Sequence, residues 1–197
     1  MTEPIDIALV VTAALDACTI PYTIGGSLAS SFSGEPRASI DVDILVDIGP
    51  GQVDPLVARL GDSFYADRDA LLRAIATHSC VNLVHRPTGI KVDLFVAGSA
   101  LDRQQLERRR RVRVAADPDR FVYVHSPEDI LLQKLHWYRL GGQVSDRQWR
   151  DVLSIIVVQQ TRLDQEYLDQ SAAREGLSQL LGQALREAES SGAASHD

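Results

Sequence analysis

The sequence predicts an α/β (α+β) core over residues 1–125, a C-terminal helical region over residues 126–190 that packs on this core, and a flexible tail at residues 191–197. Three observations predict this organisation. Short runs rich in β-branched residues alternate with helical patterns up to about Val124. From Ser126 onward only helical patterns follow. The length of 197 residues, with 45% hydrophobic and 24% charged residues, suits one globular domain with a helical appendage.

The first half of the chain alternates between the two kinds of element. A buried helix is predicted over residues 5–17, and the strand in "PYTIGG" stops at two glycines, after which a short helix begins at Ser27. A strand rich in β-branched residues follows at 40–48 and is closed by "GPG". The remaining predicted elements are helices at 53–60 and 67–76, a hairpin of "CVNLVHR" and "IKVDLFV" joined by "PTG", a helix in "GSALDRQQLERR", and the strands "RVRVAA" and "FVYVHS".

The second half begins with a strong helix start. In "SPEDILLQKLHWYRL" a serine precedes the helix, proline takes its first position and two acids occupy its first turn. Each choice satisfies or complements the free N–H groups and the positive end of a helix. "SDRQWRDVLSIIVVQQ" starts a second helix in the same way, and two amphipathic helices follow.

Composition restricts the class of protein. The net charge of −7 and the pI near 5.2 argue against a general nucleic-acid coat protein, which would be basic. Two cysteines, Cys18 and Cys80, lie among apolar neighbours without metal-ligand spacing, which favours buried thiols in a reduced, cytoplasmic protein. The acidic start Met-Thr-Glu-Pro does not resemble a signal peptide, and the apolar runs are too short to cross a membrane.

One basic segment departs from the acidic average. Residues Arg103 to Val114 include six arginines and a single glutamate. The segment is either a solvated helix end that runs into an edge strand, or a surface that contacts the phosphates of a nucleic acid.

Two aspartates stand inside an apolar strand. Asp41 and Asp43 are two residues apart, so they point to the same face of the strand, while Val42 and its apolar neighbours fill the other. Two such anions repel unless a cation lies between them, and Mg²⁺ commonly takes one or two carboxylates together with substrate phosphates. A solvent-facing pair at a strand end is the alternative. An EF-hand is excluded, because Leu45 and Val46 stand where that loop needs an oxygen ligand and a glycine.

Further candidates lie on either side of this pair. Asp93 stands in the apolar strand "GIKVDLFV" and joins the same cluster if the two strands are neighbours. Gly25 and Gly26 allow close approach of a phosphate, and a helix that opens at Ser27 offers free N–H groups and a hydroxyl. Taken alone, Gly-Gly-Ser is also an ordinary turn with a helix cap. It is neither a Walker loop nor a dinucleotide fingerprint.

These blocks together resemble a known family. The stretches "GGSLAS…GEPRASIDVDILV", "KVDLFV", "SPEDILLQKL" and "RQWRDV" are similar to the nucleotidyltransferase superfamily with the DNA polymerase β-type fold. They are most similar to AbiEii-type and related small bacterial nucleotidyltransferases, several of which act as toxins of toxin–antitoxin systems. The resemblance covers about Tyr22 to Ile155 and implies a mixed sheet flanked by helices, followed by a helical segment.

The resemblance also assigns roles to particular residues. Gly26 and Ser27, with Gly25 beside them, correspond to the pair that holds the nucleotide phosphates, and Arg37 is a candidate phosphate contact or a support for its loop. The implied metal ligands are Asp41, Asp43 and Asp93, of which Asp93 also helps to deprotonate the attacking hydroxyl. Lys134 corresponds to a lysine facing the nucleotide, or is a solvated helix lysine. Asp151 corresponds to a late aspartate, or pairs with Arg147 or Arg150 on its own helix.

The implied reaction is transfer of a nucleoside monophosphate from a nucleoside triphosphate to a hydroxyl. Two Mg²⁺ ions are the expected cofactors, with Mn²⁺ as a substitute. The end of an RNA or tRNA, held through residues 103–113, is the first candidate acceptor, and a protein or an aminoglycoside-like alcohol is another; an antitoxin protein is a candidate partner. The rivals are a binding or regulatory module with a decayed site and a Mg²⁺-dependent hydrolase. No Ser/His/Asp hydrolase signature occurs.

Overall fold

The computed structural model describes residues 4–34, 41–116 and 119–193 of the chain. The chain divides into two units, one built from residues 1–28 with 38–125 and the other from residues 29–37 with 126–197. Arg37 and the loop around it lie outside the described residues, as does the end of the predicted tail.

The first unit contains the whole β-sheet. Its helices are α1 (Pro4–Ala17), α3 (Val53–Leu60), α4 (Arg68–Thr77) and α5 (Ala100–Arg108), and α2 (Gly26–Ser33) begins in it. Its strands are β1 (Tyr22–Ile24), β2 (Val42–Val46), β3 (Phe64–Tyr65), β4 (Cys80–His85), β5 (Lys91–Val96), β6 (Arg110–Ala116) and β7 (Asp119–Val124).

The strand order in the sheet is β3-β4-β5-β2-β1-β7-β6. β2 runs parallel to β5, and β1 runs parallel to β7, whereas β1 and β2 are antiparallel, as are the β3–β4, β4–β5 and β6–β7 pairs. The predicted mixed sheet flanked by helices is therefore confirmed. The predicted hairpin of β4 and β5 forms as well, with Pro87, Thr88 and Gly89 in its turn.

The two faces of the sheet are filled differently. One face carries the alternate residues Val42, Ile44 and Val46 of β2, which are fully buried, and α1 packs on this strand and on α3. On the opposite face, Leu45 packs with Ala97 and Leu106 of α5. That second face also carries the acidic residues of β2 and β5, because side chains alternate along a strand.

The second unit is helical. Its helices are α6 (Pro127–Leu140), α7 (Asp146–Gln159), α8 (Gln165–Glu175) and α9 (Ser178–Ala193). The predicted starts of the first two helices are confirmed, because Ser126 accepts a hydrogen bond from the backbone of Asp129 and Ser145 accepts one from Gln148. Asp129 is buried and accepts hydrogen bonds from the hydroxyls of Ser126, at 2.8 Å, and Tyr167, at 2.5 Å.

Several local predictions need correction. The short strand β3 was not predicted, because two residues are too few for an alternation pattern. α2 begins at Gly26 rather than Ser27. Cys80 is exposed and Cys18 is half-buried, so the expectation of two buried thiols is wrong. No helix within the described ranges is both long enough and apolar enough to cross a membrane.

Candidate functional site

A row of polar residues crosses three neighbouring strands of the sheet. Asp43 of β2 lies directly beside Asp93 of β5 in the parallel register, and Asp93 lies opposite Asn82 of β4 in the antiparallel register. Adjacent strands are about 4.8 Å apart, and paired residues share a face of the sheet. The two aspartates, separated by 50 positions in the sequence, therefore lie side by side, as predicted for neighbouring strands.

Asn82 fixes the outer end of this row. Its side-chain amide donates a hydrogen bond of 2.5 Å to Oδ1 of Asp93. Asn82 was not among the site residues predicted from the sequence. The signal that could have found it is its place in "CVNLVHR", where the alternation with Val81 and Leu83 puts a polar residue on the face that Asp93 occupies in the partner strand.

The glycine turn adjoins the inner end of the row. The backbone N–H of Gly25 donates to the carbonyl of Asp43 at 2.9 Å. Gly26 has a φ of +58°, and a Cβ on it would lie only 1.8 Å from Oδ2 of Asp43. Only glycine fits here, because the turn needs a left-handed backbone and because the carboxylate occupies the space of a side chain.

Ser27 and Asp41 complete this part of the molecule. Ser27 follows Gly26 in the first turn of α2, where backbone N–H groups lack helical acceptors and the helix dipole is positive. Asp41 is exposed and lies directly before β2, two residues from Asp43, so the shared face of the two aspartates stays a prediction. The order across the sheet is thus the helix start, Asp43, Asp93 and Asn82.

The donor chemistry of this row suits a hard cation, since carboxylate oxygens are the ligands that Mg²⁺ prefers. As the side chains stand, no three His, Cys, Asp or Glu residues of the described chain lie close enough together to form a metal site. Two adjacent carboxylates remain sufficient for Mg²⁺ when substrate phosphates supply the other oxygens. The three-aspartate ligand set stays a prediction.

The negative charge of this face affects the pKa of the Cys80 thiol. Partial desolvation of its sulphur, together with the nearby carboxylates of Asp93 and Asp43, raises the pKa of the thiol to about 11. Phe95 of β5 pairs with Cys80 of β4 in the sheet, and the Phe95 residue is 38% exposed. The thiol is therefore accessible but weakly reactive at neutral pH, because the thiolate is the reactive form.

Lys134 and Asp151 form a pair of their own inside the helical unit. Nζ of Lys134 on α6 lies 2.7 Å from Oδ2 of Asp151 on α7, and the two side chains are only 10% and 12% exposed. Lys134 is therefore not a solvated helix lysine. The cation that pairs with Asp151 is Lys134 on α6. The alternative interpretation expected an arginine of α7, the helix of Asp151 itself, as its partner.

The arginine-rich segment forms the end of α5 and the edge strand β6, as one of the two interpretations predicted. Arg111 lies over the ring of Phe121, at 3.7 Å from its centre, and Arg109 lies 4.8 Å from the centre of Tyr123. β6 occupies the edge of the sheet opposite the β3–β4 edge, so four strand spacings, about 19 Å, separate it from β5 and Asp93. Contact with nucleic-acid phosphates stays a prediction.

Comparisons with known proteins identify the fold. No protein-family model matches the sequence, and no curated protein matches it significantly. Among solved structures, an antigenic nucleotidyltransferase-like protein from Paracoccidioides brasiliensis is 22% identical, with a TM-score of 0.50 and 91% of each chain covered.

Two structures of the antibiotic-resistance factor ANT(2'')-Ia also match. The solution structure is 16% identical with 100% of both chains covered, and the crystal structure with adenylyl-2''-tobramycin is 17% identical with 86% of this chain and 94% of the other covered; both TM-scores are 0.55. The chain thus has a nucleotidyltransferase-like fold, and the prediction of the fold is confirmed. The narrower resemblance to AbiEii-type proteins stays a prediction.

Proposed function

We propose that this protein transfers a nucleoside monophosphate from a nucleoside triphosphate to a hydroxyl acceptor. The observation that carries the proposal is the contact between the glycine turn and the acidic row, in which the Gly26 backbone lies against the carboxylate of Asp43 and Asp93 lies beside it. A phosphate-binding turn and a pair of carboxylates in contact suit a triphosphate bound with a cation.

Each residue then has a distinct task. The N–H groups at the start of α2 and the hydroxyl of Ser27 hold phosphate oxygens, and Gly26 lets the phosphates approach the backbone closely. Asp41, Asp43 and Asp93 would hold Mg²⁺, with Mn²⁺ as a substitute. Bound Mg²⁺ supplies charge neutralisation for the triphosphate and polarises the acceptor oxygen. Asp93, which is half-buried, accepts the proton of the acceptor hydroxyl.

The reaction forms one bond and breaks another. The acceptor oxygen forms a bond to the α-phosphorus, and the bond between that phosphorus and the oxygen bridging to the β-phosphate breaks. Pyrophosphate leaves with the electron pair, and the hydroxyl proton passes to Asp93. The crystal structure of ANT(2'')-Ia contains adenylyl-2''-tobramycin, an alcohol that carries a nucleoside monophosphate, and this complex supports the proposed type of reaction.

The acceptor and the biological setting are narrower proposals. The resemblance to AbiEii-type proteins supports a toxin-like role with an antitoxin partner, and the arginines of residues 103–113 support an RNA or tRNA acceptor. Lys134 and Asp151 would serve the nucleotide in that branch of the family. Their mutual ion pair is equally consistent with a purely structural role, and substitution of both residues together separates that role from a functional one.

To test the proposal, purified protein is incubated with Mg²⁺ and each α-labelled nucleoside triphosphate in turn. Total RNA, tobramycin or cell lysate is added as acceptor, and transfer of the label to the acceptor is measured. Asp43→Asn and Asp93→Asn should each abolish label transfer. Asp47→Asn is the matched control, because Asp47 is an exposed aspartate that directly follows β2 and lies outside the acidic row.

Label transfer that persists in the combined Asp43→Asn and Asp93→Asn variant would refute the assigned roles. No transfer to any acceptor, together with no thermal shift on adding Mg²⁺ and nucleotide, would favour the binding-module alternative instead.

A further inference from the structure

A cavity of about 490 Å³ borders the outer edge of β4. The edge is open there, because β3 pairs only with Val84 and His85, so no described strand covers the outer side of residues 80–83. The walls come from β3, the start and middle of α4, β4 and the first residue of β5. All of these elements belong to the first unit.

Asn82 connects this cavity to the acidic row. Its side chain lines the cavity and also donates to Asp93. The order along the sheet is therefore the phosphate-binding turn, Asp43, Asp93, Asn82 and the cavity. In nucleotidyl transfer the attacking and leaving oxygens lie roughly in line on opposite sides of the phosphorus. If the triphosphate tail lies at the turn, the attacking hydroxyl must arrive from the side of Asn82.

The charge of the cavity indicates the class of acceptor. Arg73 and Lys91 line it, both are exposed, and neither side chain has a carboxylate partner among the described residues. Lys91 lies on the same face as Asp93, two residues before it, which is about 6–7 Å along the strand. The carboxylate of Asp67 also faces the cavity, but it accepts hydrogen bonds from the backbone N–H groups of Asp69 and Ala70 as the cap of α4.

An aromatic ring completes the wall. Tyr65 is 51% exposed, and the guanidinium of Arg86 lies 5.6 Å from its ring centre. An exposed ring beside two cations that have no carboxylate partner in the described parts of the chain suits a ligand with a flat base and a phosphate. A polycationic alcohol such as tobramycin would meet repulsion here, because like charges in a shared site disfavour binding.

We propose that this cavity is the acceptor site and that it takes a hydroxyl compound bearing a phosphate, of about the size of one nucleotide. The inference rests on the proposed function. In this arrangement Arg73 and Lys91 bind the acceptor's phosphate, Tyr65 stacks on its base, and Asn82 is a positioning residue that orients Asp93 towards the acceptor hydroxyl. A free mononucleotide and the 3′ end of an RNA share this chemistry.

Cys80 gives a test that does not depend on catalysis, because it lines the cavity. Alkylation of Cys80 by iodoacetamide at pH 8.5 is followed by mass spectrometry, with Cys18 as the internal reference. The probes are 5′-CMP, hexacytidylate, cytidine and tobramycin. We expect at least fivefold slower alkylation of Cys80 with saturating 5′-CMP or hexacytidylate, and no protection by cytidine or tobramycin at the same concentrations.

Charge variants test the assigned contacts. Arg73→Gln and Lys91→Gln should each raise the concentration of 5′-CMP needed for protection about tenfold, as expected for loss of one charged hydrogen bond to phosphate. Arg59→Gln on α3 is the matched control, since Arg59 is exposed in the same unit but does not line the cavity. Protection by hexacytidylate but not 5′-CMP assigns the site to an RNA end, and the reverse assigns it to a free nucleotide.

Four results would overturn the inference. Equal protection by cytidine and 5′-CMP would show that the phosphate is not recognised, and an unchanged response in Arg73→Gln and Lys91→Gln would show that these cations do not bind it. Label transfer without any protection of Cys80 would leave the proposed function standing and place the acceptor elsewhere. Protection of Cys80 without label transfer would refute the proposed function and the acceptor role with it.

Discussion

Gly26→Ala is the substitution that most directly tests the geometry of the candidate site. The new Cβ would lie 1.8 Å from Oδ2 of Asp43. Cβ atoms in proteins essentially never lie within 3.0 Å of a non-bonded heavy atom. The carboxylate must therefore retreat by at least 1.2 Å, or the turn must move by the same amount. Either change separates the glycine turn from the acidic row.

The expected effect has two parts. A left-handed φ of +58° costs an alanine about 1–2 kcal/mol of folding free energy. A displacement of about 1 Å at a reacting centre costs about 100-fold in rate. We therefore expect a moderately less stable protein that still folds, with label transfer reduced about 100-fold at a temperature well below its unfolding midpoint.

Gly61→Ala is the control for backbone strain. Gly61 also has a φ of +58°, nothing lies within 4 Å of the position of its Cβ, and its ψ of −159° falls in a region that almost only glycine occupies. This variant should lose at least as much stability as Gly26→Ala and keep its activity. Thermal unfolding and label transfer are measured side by side. Full activity in folded Gly26→Ala, or equal losses in both variants, would refute the reasoning.

Three further predictions concern other parts of the molecule. Lys134→Met should cost about 3–5 kcal/mol in urea unfolding, because it removes the cation that lies 2.7 Å from the largely buried carboxylate of Asp151. Lys134→Met with Asp151→Leu should recover most of that loss, and a double variant that is stable but inactive would show that the pair has a functional role. Burial lowers the pKa of His125 to about 4, below its ordinary value of 6.5, so only the unfolded chain binds this proton between these values. The free energy of unfolding should fall by up to about 3 kcal/mol as the pH drops from 6.5 to 4, and His125→Phe should flatten that part of the profile; an unchanged slope would contradict this. Removal of a nearby anion in Asp93→Asn should lower the pKa of the Cys80 thiol from about 11 and speed its alkylation at pH 8.5, and an unchanged rate would show that the carboxylate does not act on the thiol.

Local chemistry made the helices of the second unit predictable. Ser126 and Ser145 each accept a backbone hydrogen bond at the helix start that the sequence indicated, and Pro127 takes the first helical position. These signals operate within a few residues of one another, so they do not depend on the rest of the fold. The shared face that alternation indicates for Asp41 and Asp43 stays a prediction, because β2 begins at Val42, after Asp41.

Contacts between segments far apart in the sequence were harder to predict. The resemblance to a known family pointed to Asp43 and Asp93 together, but it did not indicate that Asn82 holds Asp93. It suggested Lys134 and Asp151 as separate candidates without indicating that they form an ion pair with each other. Such pairings depend on strand order, register and helix packing, which arise from the burial of many side chains at once.

By itself, therefore, the sequence determined the order and type of the longer elements, the helix caps at Ser126 and Ser145, and the pair of aspartates at the start of β2. Only the tertiary structure decided that Gly26 lies against Asp43, that Cys80 is exposed beside an acidic row, and that the edge of β4 opens into a cavity. The physical reason is the separation in sequence between the residues that interact. Backbone propensities and caps are satisfied by neighbours in the chain, whereas register, burial and cavities are set by how elements far apart in the sequence fill one core.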